Sequence, residues 1–551
     1  MDASHSSPMN ELVQRVEQAV RELPTQPNVQ RLTPEEIARR AAEVGTLTAF
    51  GSRSFVSTVK NRSAALTVTI GSDKVSSGTL TQKKRDIAKG VAETVRLVHS
   101  YLKKAPLVRV DCAVGDNQQF SPRCTTYIST YRREMVRLGH KLLQSFFPER
   151  TNGGAELTLV VIPEWQEKDR QILVFPEIGV TYILGTDYYG EAKHAVLRMA
   201  MWRAKSQGML GLHAAAQTIR AQTSGGATRN LGLIIFGIAG TGKTTHACHD
   251  HGLALDGEDA RMVQDEVVFW RRDGAALGSE RGFYVKTEGL APDTQPVLFN
   301  AAIQPRAVLD NVMVDYQGRV SFDDRTLTTN GRAIIQREDL GHLTSASAST
   351  SPASELDALI IAFMTRSHTV IPIASKLTAE QAAVAFLLGE SIDVSGADAK
   401  MTIGPGKEVV TNPFLVGDPA EEANLFYEFV KSHGDKAECY LLNTGGVGEL
   451  TEFGLDGSRR AVQKVTRIQI PQMATIIRGI ARGTIVWRED ANWMAETPET
   501  VDGLDAAAFD PQTHYDQDKI DSLIAAIRLQ RADYIDRIAG LHPAIRKAVE
   551  F

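Results

Sequence analysis

The sequence predicts an α/β protein of more than one domain, with a P-loop nucleotide-binding unit in its C-terminal part. The chain has 551 residues, whereas a single hydrophobic core usually stops growing at about 250–300. Apolar runs of strand length are interspersed with segments of helical periodicity. One such run, Leu231-Gly-Leu-Ile-Ile-Phe236, leads straight into Gly237-Ile238-Ala239-Gly240-Thr241-Gly242-Lys243-Thr244, and helical spacing resumes near Thr244. Strand, glycine-rich loop and helix is the order that a phosphate-binding loop requires.

The elements follow in order. After Pro8, the spacing of Leu12, Val16, Val20 and Leu23 predicts a helix that Pro24 ends. Residues 125–147 read as a second helix, with Tyr131, Met135, Leu138, Leu142 and Phe146 on its core face. Strand-like runs come at Leu157–Ile162, Ile172–Phe175 and Thr181–Leu184. The Thr-, Ser- and Gly-rich stretch 218–230 is either an interdomain linker or a long hairpin turn. Helical segments at 378–388 and 421–432 flank a Gly-, Pro- and polar-rich segment, 395–418, of a length typical of a lid or a disordered loop. Residues 517–551 read as helical.

Composition excludes several classes. Hydrophobic residues make up 43% and charged residues 23%, as in an ordinary globular protein. The net charge of -5 gives no global pull toward nucleic acid or anionic lipid, so an anion site has to be built locally. Cys112, Cys124, Cys248 and Cys439 form no CxxC pair and read as reduced thiols. Met1 to Asn10 lack a signal-peptide pattern, and no apolar run approaches the ~20 residues of a membrane span. The expectation is a cytoplasmic protein with neither nucleic-acid nor membrane partners.

The phosphate loop has a direct physical reading. Its glycines let the backbone curl until several N–H groups face one phosphate, and the following helix presents its positive end. Lys243 supplies a charge for the outer phosphates, Thr244 a hydroxyl for the nucleotide's Mg²⁺, and Thr245 continues the motif. The best Walker B candidate, Arg261-Met-Val-Gln-Asp265-Glu266, is only partly apolar and lies close behind the loop, unlike that of a large GTPase or motor. His246, Cys248, His249, Asp250 and His251 follow. On a helix His246 and Asp250 would share a face suited to zinc, but the ligand set is incomplete, and an ordinary helix surface is expected.

The order of several further motifs resembles ATP-dependent phosphoenolpyruvate carboxykinase. Tyr188-Tyr-Gly-Glu-Ala-Lys193-His194, Gly208-Met-Leu-Gly-Leu-His213, Gly237–Thr245, Asp265-Glu266, Gly282-Phe-Tyr-Val-Lys286-Thr, Asn330-Gly-Arg332, Ser375-Lys-Leu-Thr-Ala-Glu-Gln381 and Tyr440-Leu-Leu-Asn-Thr-Gly445 are collinear with that family's elements. The resemblance extends from about residue 45 to about residue 485. It implies a two-domain carboxykinase-like fold: an N-terminal α/β domain at 1–216, a P-loop domain at 217–551 with the lid near 395–418, and the active site between them. It also implies a reaction, in which oxaloacetate loses CO₂ and the resulting enolate takes the γ-phosphoryl group of ATP to give phosphoenolpyruvate.

The resemblance further implies roles. Arg53, in Gly51-Ser-Arg-Ser54, matches the substrate-carboxylate arginine, although the family residues that follow it differ here. Arg332 matches the second arginine, for substrate and phosphoryl group, and Tyr188 the tyrosine set against the substrate. The metal, Mn²⁺ or Mg²⁺, is expected on His213 and Asp265, with Glu266 as an alternative carboxylate. His194 stands where the family has a lysine, and Lys193 remains beside it. A neutral imidazole is a competent ligand there. Lys286 is expected near the phosphates, and Arg460 and Thr466 at the adenine. A diverged P-loop kinase on the same fold, acting on a protein or another small molecule, is the alternative. It is motivated by His194, Glu266, Ala239 and the rewritten lid.

Overall fold

The computed structural model describes residues 8–75, 80–149, 156–166, 170–238, 240–389, 414–453 and 459–550. Ala239 and most of the expected lid, 395–413, therefore lie outside the described residues. Two compact units emerge. The first comprises Met1–Gln207, Ser279–Gly341 and Phe414–Asp418, and the second Gly208–Gly278, His342–Pro413 and Pro419–Phe551. The division is interleaved and does not follow the expected boundary at 216/217. Lys286 and Arg332, expected in the nucleotide domain, belong to the first unit.

The first unit contains two large sheets and, among the described residues, a small two-stranded ladder of Met313–Val314 with Val320–Ser321. Seven strands run in the order Val29–Arg31, Leu107–Ala113, Arg123–Ser129, Leu157–Ile162, Val180–Leu184, Gln171–Phe175 and Thr67–Thr69. Helices Pro8–Glu22 and Gln82–Leu102 cover one face, seating Leu12, Val16, Val91, Val95 and Val98 against Tyr127, Val160 and Tyr182. The helix expected over 125–147 begins only at Val136. Thr125-Thr-Tyr-Ile128 is β-branched and aromatic, and it pairs on both sides within the sheet, so pairing overrides the helical spacing. Tyr131, assigned to the helix's core face, is instead 71% exposed. The helix Val136–Ser145 packs against this sheet and against the second one, whose five strands run Gly282–Lys286, Arg332–Gln336, Val308–Asp310, Arg53–Phe55 and Thr46–Leu47. Residues 279–341 return to the first unit, where Val308–Asp310 pairs in parallel with Arg53–Phe55.

The second unit is built on eight strands in the order Asp259–Gln264, Ala214–Gln222, Thr228–Phe236, Ala358–Thr365, Ala437–Asn443, Ala374–Leu377, Ala495–Thr500 and Val486–Asp490. The three central ones, from Thr228, Ala358 and Ala437, are parallel. Ala358–Thr365 is buried throughout, which explains its unbroken apolar sequence. Residues 218–230 form a hairpin between Ala214–Gln222 and Thr228–Phe236 and do not link domains. Helices Ala379–Leu388, Pro419–Ser432 and Gln517–Asp536 contribute to the main core of this unit through Phe386, Phe426 and Ile527. Thr378 starts the first of them with a capping box to Gln381.

Candidate active site

The central parallel strands of the second unit end together, with Phe236 opposite Phe363 and Thr365 opposite Asn443. Their carboxyl ends release the glycine loop, Arg366 and Thr444, which is where open α/β sheets bind ligands. The loop needs its glycines. Gly240 and Gly242 have φ of 91° and 92°, and a Cβ on Gly237 would lie 2.4 Å from Thr241 Oγ1. The Thr241 amide and hydroxyl both donate to Ile238 O, at 3.2 and 2.8 Å. Thr444 Oγ1 donates to Thr241 O at 2.7 Å, and Arg366 Nη1 donates to Gly240 O at 2.9 Å. Lys243 Nζ donates to Asp265 O at 2.9 Å, which ties the loop to the segment carrying the expected metal carboxylate. Thr244 and Thr245 lie on the helix Lys243–Ala247, which is only five residues long.

The same ladders place His213 and Asp265. Ala214 faces Phe236, so His213 precedes the ladder level with the start of the loop; Ala216 faces Gln264, so Asp265 leaves the sheet at the same end. Asp265 is buried and Glu266 half-buried. Thr466 pairs with Val447 in a two-stranded ladder, and the neighbouring Gly446 N–H donates to Ser367 O at 2.8 Å. Arg460 lies on Arg459–Gln463, paired with Leu450–Phe453.

The histidines behind the loop correct an expectation. The helix ends at Ala247, so Asp250 does not share its face with His246. His246 and His251 are buried, not on a surface, with their rings stacked 6.2 Å apart. His251 Nε2 bonds Gln217 Oε1 at 2.9 Å. Burial pushes His246 down to about 3, so this layer is neutral packing.

In the first unit the five-stranded sheet aligns Phe55, Asp310, Arg332 and Lys286 across four strands, and Arg53 with Val308, Ile334 and Tyr284 two residues along. A period of two puts Arg53, Tyr284, Lys286, Asp310 and Arg332 on one face. Arg332 presents Nε and Nη2 to Asn330 Oδ1, at 3.1 and 3.0 Å, with its guanidinium 5.5 Å from the centre of the Tyr284 ring. Asn330 Nδ2 donates to Tyr188 Oη and to Lys60 O, both at 2.9 Å. One amide therefore fixes Arg332 and Tyr188 together. Burial pushes the Tyr188 hydroxyl up, with Arg332 opposing, and keeps it protonated. The Tyr188-Tyr-Gly190 motif is steric in part, since a Cβ on Gly190 would lie 2.6 Å from the Tyr188 ring.

Several supports went unrecognised in the sequence. Lys141 Nζ bonds Asp310 Oδ1 at 2.5 Å with both side chains inaccessible, and Tyr284 Oη donates to Asp310 Oδ2 at 2.7 Å. Asp187 accepts from Thr58 N, Val59 N and Arg137 Nη2, and Glu191 from Ser63 N at 2.6 Å, anchoring the loop that carries Lys60. Lys193 is wholly buried, 3.2 Å from Glu280 Oε1. His194 packs edge-on against Phe414 at 4.7 Å. Arg53 Nη1 donates to Gly45 O at 3.0 Å, and Lys286 Nζ pairs with Glu288. Asn330, Glu191 and Tyr284 carried a visible signal, their places in the motifs around Arg332, Tyr188 and Lys286; no local pattern marks Lys141 or Asp310. Among the described residues no three His, Cys, Asp or Glu groups gather into a metal cluster.

The family model of phosphoenolpyruvate carboxykinase, ATP-dependent form, matches residues 21–507. The chain is 27% identical over 442 residues to phosphoenolpyruvate carboxykinase (ATP) of Aeropyrum pernix, an alignment spanning 80% of this chain and 83% of that protein. It is 28% identical over 385 residues to the protein of that name from Rhizobium etli, covering 68% of this chain and 66% of the relative. With that of Rhizobium leguminosarum bv. trifolii the figures are 29% over 339 residues, 61% and 57%. The latter two alignments thus span just under two thirds or less of the relative's length. With its family match running through both units, the chain belongs to the phosphoenolpyruvate carboxykinase (ATP) family.

Proposed function

We propose that this chain converts oxaloacetate and ATP to phosphoenolpyruvate, ADP and CO₂. The C3–C4 bond of oxaloacetate breaks, CO₂ leaves, and the electron pair forms an enolate whose oxygen attacks the γ-phosphorus as ADP departs. The observation that carries this reading is the Tyr188–Asn330–Arg332 assembly. A phosphate loop alone suits any nucleotide-dependent enzyme, but a protonated phenol and a guanidinium held on one amide suit an anionic keto acid. Asn330 takes Nε and one side of Nη2, which leaves Nη1 of Arg332 for an anion. Asn330 donates to the phenol oxygen, so the Tyr188 proton points elsewhere and can bond a substrate oxygen. Arg53 and Lys286 add positive charge on the same sheet face.

Lys243 and the loop N–H groups would hold the nucleotide's phosphates, Thr244 would offer a hydroxyl to its Mg²⁺, and Arg460 and Thr466 would serve the base. His213 and Asp265, an imidazole and a carboxylate brought to one sheet end, suit a divalent cation. A bound Mn²⁺ or Mg²⁺ supplies Lewis-acid stabilisation of enolate and phosphoryl oxygens. Assay with oxaloacetate, ATP and Mn²⁺ should yield phosphoenolpyruvate, and chelation should stop it. ATP binding without any such product, across metals and pH, would refute the proposal.

A further inference from the structure

We infer that Arg366 is a second phosphate-binding cation of the nucleotide site. This rests on the reading of Gly237–Thr245 as the ATP phosphate loop. Arg366 follows the strand Ala358–Thr365, which runs parallel to the strand that delivers the loop, so both chains leave one sheet edge side by side. Its backbone is held tightly. Thr444 N donates to Thr365 O at 2.9 Å, Ser367 N to Asn443 Oδ1 at 3.0 Å, and Gly446 N to Ser367 O at 2.8 Å.

The side chain is not held in the same way. It is exposed and donates through Nη1 to Gly240 O, and among the described residues no carboxylate stands in ion-pair contact with it. Gly240 itself is open, with nothing within 4 Å of where a Cβ would project. A guanidinium has five N–H donors, and a neutral carbonyl is a weak partner for a full charge. A phosphate oxygen forms a charge-assisted bond about twice as strong as a neutral one. The fork therefore rests on the glycine loop through a weak neutral partner, which a phosphate oxygen bound at the loop would outcompete. Removing the charge should weaken binding of ATP and leave AMP, which reaches fewer of these contacts, untouched.

Calorimetric titration of ATP and AMP into the wild-type protein and into Arg366→Ala and Arg366→Gln separates the possibilities. Gln keeps an N–H for Gly240 O but carries no charge. Both variants should bind ATP about tenfold or more weakly, with AMP affinity and melting temperature unchanged. ATP affinity within twofold of wild type in both variants would overturn the inference. So would a normal Gln variant beside a weakened Ala variant, which would make Arg366 only a strut, or an equal loss for AMP. Wild-type protein that binds no ATP would overturn the underlying loop reading as well.

Discussion

Three cations of the first unit are locked in buried ion pairs, whereas Arg366 at the phosphate loop of the second is seated on a carbonyl. Lys141, Arg137 and Lys193 pair with Asp310, Asp187 and Glu280 out of reach of water, and Arg332 is gripped by Asn330. Lys243 and Arg366 donate to backbone carbonyls, Asp265 O and Gly240 O. A locked frame fixes donor directions before the substrate arrives, so little reorganisation remains for the reaction. A guanidinium seated on a carbonyl, as Arg366 is, can transfer its donors to an incoming polyanion at small cost. On the proposed reading of the site, geometry in one unit and available charge in the other would be different solutions to binding anions.

Breaking the second arrangement should have the largest effect. Lys243→Ala should lower turnover by about a thousandfold or more, because developing charge on the transferred phosphoryl group loses its partner. Steady-state kinetics with near-normal activity in this variant would remove the loop from the reaction. Breaking the frame should show in stability before it shows in chemistry. Lys141→Met leaves Asp310 charged and buried without its ammonium, and unfolding by urea should report a loss of about 3–5 kcal/mol. The double variant Lys141→Met, Asp310→Asn should recover much of that loss, since no buried charge is then left unpaired.

Asn330→Ala sharpens the comparison by loosening Arg332 and Tyr188 without touching a charge. The expected loss is about 1–3 kcal/mol of transition-state stabilisation, or roughly ten- to hundredfold in kcat/KM for oxaloacetate, with ATP affinity unchanged. A parallel loss of ATP affinity would mean that the residue supports the fold and not the substrate group.

The most gradual effect concerns acid. Burial, with help from Lys141, pushes His140 down to about 4 from an ordinary 6.5. Between those values the unfolded chain binds a proton that the folded chain refuses, so stability rises with pH. The contribution is fully present above about pH 7 and falls as pH drops from 6.5 toward 4, by at most ~1.4 kcal/mol per pH unit. Denaturation of His140→Gln across that range should show a shallower slope than wild type; identical slopes would contradict the burial of a neutral imidazole.

What the sequence made legible was local. The loop Gly237–Thr244 announces itself because phosphate binding is done by contiguous backbone, and the strand before it is a contiguous apolar run. The Tyr188, Asn330 and Arg332 motifs were visible as words, but the sentence they form was not. Tyr188 and Asn330 meet across 142 residues. Lys141 and Asp310 join across 169, and neither sits in any pattern of spacing. The interleaved units escaped for the same reason, since the return of 279–341 involves long-range pairing, as of Val308–Asp310 with Arg53–Phe55. The histidines behind the loop misled in the opposite direction, because a spacing that suits a long helix says nothing once the helix stops after five residues.

The central claim is that one turnover couples decarboxylation to phosphoryl transfer. It is tested most directly by measuring CO₂, ADP and phosphoenolpyruvate together in a reaction of oxaloacetate and ATP with Mn²⁺. The expected result is one of each per turnover, with ADP formation abolished when oxaloacetate is omitted. ADP released without oxaloacetate consumption, or label from [γ-³²P]ATP recovered on protein or another acceptor and none in phosphoenolpyruvate, would contradict it.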